Sequence, residues 1–181
     1  MSGPFPWGGT AMTRFPQAAS SASRRHFLAW SGGLTAAGAL AAAGWTISDL
    51  MDEVVGPERS AYQWPVRSAV EAGIAVRASS EAPITEPDWR QGVVAMMLRE
   101  SKASGRPSGP GQCVGLAEAQ RAYTVNAARQ DFAEEWKGTV ETGKVADLCV
   151  LDRPLLGLDP HAITDAEVDL TVFDGRIGHE R

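Results

Sequence analysis

Apolar residues change their spacing several times along the chain, and each change predicts a different element. Residues 29–43 are a weakly apolar, Ala-rich run interrupted by Gly32, Gly33 and Gly38. That run is too short to cross a bilayer, which takes about 20 residues. Leu50, Met51, Val54 and Val55 then recur at helical spacing behind Ser48 or Asp49 as cap, and Gly56-Pro57 stops the helix. Residues 58–73 form a second helical piece with Tyr62, Trp64, Val66, Ala69 and Val70 on its apolar side, broken in the middle by Pro65. Ile74-Ala75-Val76 begins a strand running towards Ser79, and Ser80, Glu81, Ala82, Pro83 and Ile84 make its end and turn. Asp88 caps a helix that the spacing of Trp89, Val93, Met96, Met97 and Glu100 carries to about Ser104.

Residues 105–115 predict a flexible loop, which lacks the G-K-[ST] ending of a phosphate loop. A further helix runs from Leu116 to about Phe132, with Leu116, Ala119, Tyr123, Ala127 and Ala128 inward. Two short apolar runs, residues 139–141 and 146–151, flank Thr142-Gly143-Lys144 and predict strand, turn, strand. Leu148, Cys149, Val150 and Leu151 are apolar without interruption, the pattern of a strand covered on both faces. Cys149 therefore reads as a buried, inert thiol. Asp147 and Asp152 mark where that strand meets solvent. Pro154 and Pro160 bracket a loop, residues 168–173 form a strand, and Asp174-Gly175 turns it back into residues 176–178.

Charge adds a division. The first 48 residues hold Arg14, Arg24 and Arg25 and no acid, ahead of an acidic body, and the whole chain of 181 residues carries a net charge of −5. A basic head on an acidic body suits a leader on a soluble domain and argues against nucleic-acid binding. Ser23-Arg24-Arg25-His26-Phe27-Leu28 matches the twin-arginine export pattern, and Ala39, Ala41 and Ala43 offer an A-x-A cleavage site. Export to the periplasm or beyond is the expectation, a cytoplasmic chain the alternative, with no stable membrane span. Met12 can serve as the start, since residues 1–11 read as disordered Pro/Gly-rich filler. The pair Cys113 and Cys149 makes neither a disulfide framework nor a metal spacing. The expected partition is residues 1–47 as disordered N-terminus and signal, 48–135, and 136–181.

Lys137-Gly138-Thr139, Glu141-Thr142-Gly143-Lys144, Ala146-Asp147-Leu148 and Leu151-Asp152 resemble a signature of the metal-dependent amidohydrolase superfamily. There the signature opens the C-terminal part of a small β-sandwich beside a (β/α)8 barrel. Gly56, Pro57, Glu58, Arg59, Pro65, Arg67, Ser68, Ala72, Gly73, Ser80, Ala82 and Pro83 resemble the last barrel helix, eighth strand and loop of the family-3 branch. The stretch LAEAQRAYTVNAA resembles the helix that packs the last barrel strand against the sandwich, where Thr124 and Asn126 would hydrogen-bond locally. The ending LTVFDGRIGHE is similar to the family's last hairpin. The resemblance implies an α/β fold, an incomplete fragment of a (β/α)8 barrel (last strand and helices) followed by part of a small β-sandwich. It also implies a hydrolase of carbon–nitrogen bonds other than peptide bonds, working by metal-activated water.

One position departs from the family pattern. Where the family has an Asp that ligates metal and takes a proton from the attacking water, this chain has Glu81. Glu81 is therefore the candidate catalytic and metal-ligating residue. Its stem is longer by about 1.5 Å, whereas ligand distances tolerate about 0.2 Å, which favours a solvated carboxylate at a strand end. Nor are the imidazoles present. His26 lies in the export motif, His161 follows Asp159-Pro160, and His179 stands near the end, so each reads as a surface histidine. A closed barrel takes at least about 200 residues, more than remain after the leader. No cofactor is expected in this chain by itself, although the family uses a divalent metal, zinc foremost. The chain is expected to be truncated and inactive alone. It would need a partner chain that supplies the missing barrel, or would stand as a non-catalytic remnant prone to self-association through unpaired strand edges.

Overall fold

The structure is a computed structural model that describes residues 45–80, 82–83 and 85–181. The export motif with His26, the A-x-A residues, Ile84 and the candidate Glu81 lie outside the described residues. Helix α1 covers residues 45–55, followed by α2 (Pro57–Ser60), α3 (Val66–Glu71), α4 (Trp89–Leu98), α5 (Leu116–Tyr123) and α6 (Val125–Gln130). Short 3-10 turns occupy Pro110–Gln112 and Pro160–Asp165, and strands β1 (Leu148–Leu151), β2 (Val168–Phe173) and β3 (Arg176–Glu180) form one antiparallel sheet in that order.

The stops at the start of the fold are those the sequence predicts. Gly56 ends α1 at φ 83°, a value that suits glycine, and Pro57 opens α2. The chain then breaks at Trp64-Pro65 before α3. Ser48 is not a cap, because α1 already includes it and it is buried within the helix.

Helix α4 is the centre of the core. Val93, Val94, Ala95 and Met96 are consecutive and all buried, so the helix is enclosed on every side. Val66, Val76, Ala122 and Ile163 pack in the same cluster. Asp88 caps α4 as predicted, its carboxylate accepting from the Arg90 N–H at 3.0 Å. Arg90 also grips both Asp88 oxygens and donates to the carbonyl of Ala166.

The predicted end of this helix is corrected: α4 stops at Leu98, not near Ser104. Arg99 takes a left-handed backbone (φ 51°), and its guanidinium donates to the carbonyls of Ser108 at 2.9 Å, Trp64 at 3.0 Å and Gln63 at 2.9 Å. Continuing the helix would carry that cation away from its three acceptors. The chain doubles back instead, with Ser101 N–H donating to Arg106 C=O and Ser108 N–H to Arg99 C=O. The loop after residue 105 begins, therefore, in a fastened return.

Four further expectations are corrected. The helix expected from Leu116 to Phe132 breaks at Thr124 (φ −121°, ψ −97°), whose hydroxyl donates to the Gln120 carbonyl. Residues 74–80 make no strand ladder, because no neighbouring strand lies beside them among the described residues. Residues 139–141 are likewise not a strand. The Gly143 turn forms at φ 92°, but Val145 N–H then returns to the Trp136 carbonyl rather than to a ladder. Finally, β1 is not covered on both faces. Leu151 packs on the core, while Leu148 is 37% and Val150 45% exposed and Cys149 is also exposed. No residue of the three strands is buried, and of β1 only Leu151 packs against the core cluster.

The last hairpin agrees with the sequence. Asp174 (φ 49°) and Gly175 (φ 73°) are both left-handed, as a tight two-residue turn requires. Asp174 N–H donates to Asp147 at 2.8 Å and Glu167 N–H to Asp152 at 2.9 Å, so both aspartates flanking β1 hold the neighbouring strand.

Two outcomes are expected. Arg99→Met leaves three carbonyls short of a donor and lowers stability in urea unfolding by about 3 kcal/mol or more, with Arg99→Lys recovering only part of it. Burial pushes the Asp88 carboxyl up, but the bonds from Arg90 outweigh this and hold it below the ordinary carboxylate value. Its contribution is then complete above about pH 4 and is lost as pH falls through the depressed folded value. Asp88→Asn flattens that acid limb of the stability–pH curve.

Candidate functional site

The candidate site is the end of residues 74–80, the stretch that precedes Glu81 in the sequence. Without a strand ladder, these residues are fixed by α5 and α6. Ala78 N–H donates to the Ala122 carbonyl at 3.0 Å, and Asn126 Nδ2 donates to the Val76 carbonyl at 2.7 Å. Val76 and Ala78 are buried beneath. The expectation of a local bond holds for Thr124 and fails for Asn126, which reaches back 50 residues. The break at Thr124 separates α5 from α6, and the two helices hold Ala78 and Val76 respectively. On either side of Glu81, Ser80 is half-buried and Ala82 exposed. Ala82 N–H donates to Ser80 Oγ, and the Thr85 hydroxyl donates to the Ser80 carbonyl.

The stretch after α6 forms a clasp on this support. Gly138 sits against α6 so closely that an added Cβ would lie 2.6 Å from Ala128 Cβ and 3.1 Å from Val125 Cα, and its φ of 95° already favours glycine. Lys144 Nζ donates to the Glu134 carbonyl at 2.8 Å and to Thr139 Oγ1 at 2.6 Å, and pairs with Glu141 at 3.3 Å. Lys137 pairs with Asp131 at 2.8 Å and lies over the Trp136 ring. These lysines and glycines give the motif a mechanical role.

Between the clasp, α5, α6 and β1 opens a cleft of about 690 Å³, lined by Trp89, Tyr123, Asp131, Lys137, Thr139 and Cys149 among others. Burial, with a smaller contribution from the Asp88 charge, pushes the Tyr123 hydroxyl up to about 12, so it remains a neutral phenol. Its oxygen has no hydrogen-bond partner among the described residues and occupies the space beside Gly92, 1.7 Å from where a Cβ there would stand. Although the residue as a whole is exposed, partial desolvation of its sulfur raises the Cys149 thiol despite the nearby Arg90, so it remains protonated.

The metal donors do not come together. His161 is exposed and faces Glu100 at 3.4 Å, and His179 lies on exposed β3. Among the described residues no group of three His, Cys, Asp or Glu could hold a metal ion. The described residues do not by themselves fit a divalent metal centre. Sequence reading missed Arg90, Arg99 and Lys144 as fixing residues. The Asp88-x-Arg90 spacing beside a helix cap could have flagged the first, while Arg99 carries no local signal.

Comparison with known proteins gives a consistent picture. The sequence profile described as "Amidohydrolase family" matches residues 10–179. An N-substituted formamide deformylase of Arthrobacter pascens is 33% identical over 118 residues, 65% of this chain and 22% of that protein. The "Putative amidohydrolase YtcJ" of Bacillus subtilis (strain 168) is 29% identical over 127 residues, 68% of this chain and 23% of that protein. The chain thus spans under a quarter of the length of these curated relatives. A solved amidohydrolase from Thermotoga maritima MSB8 superposes with a TM-score of 0.48 at 19% identity, over 64% of this chain and 26% of that one.

Gly138→Ala tests the clasp. The new methyl meets Ala128 and the backbone is strained, so urea unfolding should show a loss of about 2 to 4 kcal/mol. The same change at Gly143, where nothing lies within 4 Å, costs only the backbone strain.

Proposed function

The chain belongs to the amidohydrolase family, in its family-3 branch, and we propose that it is the C-terminal portion of a hydrolase of carbon–nitrogen bonds other than peptide bonds, inactive until a companion chain completes the barrel. The observation that carries this is the donor inventory. The chain has three histidines, and the two among the described residues belong to no group of three donors. So few imidazoles cannot make the metal centre on which the family relies. The activity belongs to an assembly in which other strands bring imidazoles to the end of residues 74–80. In that assembly Ala122 and Asn126 hold this segment, and Glu81 supplies a carboxylate at the turn that follows. The missing ladder along residues 74–80 supports the same reading, because backbone groups of a barrel strand are paired on both sides.

The exposed apolar side chains of the sheet favour a second reading, a non-catalytic interaction module. Leu148, Val150 and Ile177, the last 63% exposed, share one face with Leu170 and Val172 through the observed register. A lone sheet with one apolar face on water is expected to associate.

Metal analysis of the purified full-length chain, with a hydrolysis panel that includes N-substituted formamides, separates these outcomes. The proposal expects substoichiometric metal and no turnover from the chain alone, and turnover after co-expression with a barrel-bearing companion, lost in Glu81→Gln. Stoichiometric zinc on the chain alone would overturn it. A companion that binds without restoring turnover would favour the interaction module.

A further inference from the structure

Among the described residues three arginines are not exposed: Arg77, Arg90 and Arg99. Arg90 donates to the Asp88 carboxylate and the Ala166 carbonyl, and Arg99 to three carbonyls. Arg77 has no such acceptor. Its Nε is shut off from water and has no hydrogen-bond partner among the described residues, and none of their carboxylates pairs with its guanidinium. A charged N–H taken out of water without an acceptor is unfavourable, and native chains seldom keep one that has no use.

The place of Arg77 in the chain narrows what the acceptor can be. Burial alternates here: Val76 and Ala78 lie in the core, while Ala75, Arg77 and Ser79 are half-buried. That period of two puts Arg77 on the face of the segment turned away from the helical core. On the reading proposed above, strands of a companion chain flank this segment. The helices of a barrel lie outside it, so the face that carries Arg77 looks inward. The middle of a barrel is filled by layers of side chains from neighbouring strands, and small molecules bind where the strands finish. Arg77 stands three residues before Ser80, about 10 Å along an extended chain. A side chain of a neighbouring strand reaches it there, and a substrate does not.

We propose that Arg77 recognises an aspartate or glutamate of the companion chain, and that this pair fixes the register in which the companion's strand meets residues 74–80. The two oxygens of a carboxylate match two N–H groups of a guanidinium side by side, Nε and a terminal nitrogen among them. A strand slipped by one residue would turn its carboxylate to the other face and leave both charges without partners. The wrong alignment is thereby penalised.

Two measurements test this, the first on the full chain alone. The nitrogen-15-labelled chain is titrated with sodium acetate, and with sodium chloride at equal ionic strength, while the arginine Nε–H signals are followed by NMR. The signal that is missing in Arg77→Lys should move saturably with acetate and stay in place with chloride. Arg77→Met should leave the urea midpoint unchanged or raised, the opposite of Arg99→Met. No acetate response at Arg77, or a lowered midpoint in Arg77→Met, would overturn the proposal. The second measurement uses the chain co-expressed with a barrel-bearing companion. Arg77→Met should weaken association by about 30-fold or more, and Arg77→Glu should be rescued by one acidic-to-arginine change in the companion. Unchanged association, with KM raised only for carboxylate-bearing substrates, would overturn the proposal by assigning Arg77 to the substrate. If no companion restores turnover to the unaltered chain, the hydrolase reading fails, while the acetate response still decides whether Arg77 takes a carboxylate.

Discussion

A helix enclosed on all sides cannot leave its ends to water, and that constraint organises this molecule. The exposed N–H and C=O groups at each end of α4 need partners. The Asp88 carboxylate accepts from the Arg90 N–H at the start, and the Met96 carbonyl accepts from the Val114 N–H at the finish. One arginine side chain at each end ties the flanking chain to the helix. Arg90 closes the start on Asp88 and carries the helix to the Ala166 carbonyl. Arg99 closes the finish by gathering three carbonyls from two places in the sequence, Gln63-Trp64 and Ser108. The helices before α4, the return after it and the approach to β2 all meet at these guanidiniums. Arginine suits the task because its planar fork offers several donors in fixed directions and stays charged when buried.

The same requirement explains how residues 74–80 are held in place without a sheet. Residues 74–80 have backbone groups that a sheet would pair, and here α5 and α6 serve Ala78 and Val76 instead. The family signature works to the same purpose. Gly138 permits the close approach to α6, Gly143 makes the turn, and Lys144 ties the far side back to the Glu134 carbonyl. Its residues are spaced for a mechanical join, which is why the motif identifies the family and carries no information on substrate.

Much of this was legible in the sequence where the cause is local. The Asp88 cap, the Gly56-Pro57 stop and the Asp174-Gly175 turn are each decided within a few residues, and each stands where the pattern puts it. What could not be read depends on distant partners. The end of α4 is set by carbonyls 35 and 36 residues earlier, and Asn126 answers to Val76. The run from Leu148 to Leu151 has the composition of a strand inside a sandwich, but burial requires a second layer, which no local pattern can supply. At the candidate site, Glu81 was visible only as a departure from a family pattern. The shortage of imidazoles was plain from the residue count alone.

One contact inside the core has a consequence for descent. The Tyr123 oxygen fills the notch at Gly92, and the ring carbon behind it lies only 2.8 Å from where a Cβ at residue 92 would stand. Removing the hydroxyl would not by itself make room. Alanine at 92 therefore requires the ring at 123 to shift or to give way to something shorter. In an alignment of relatives these two columns should change as a pair.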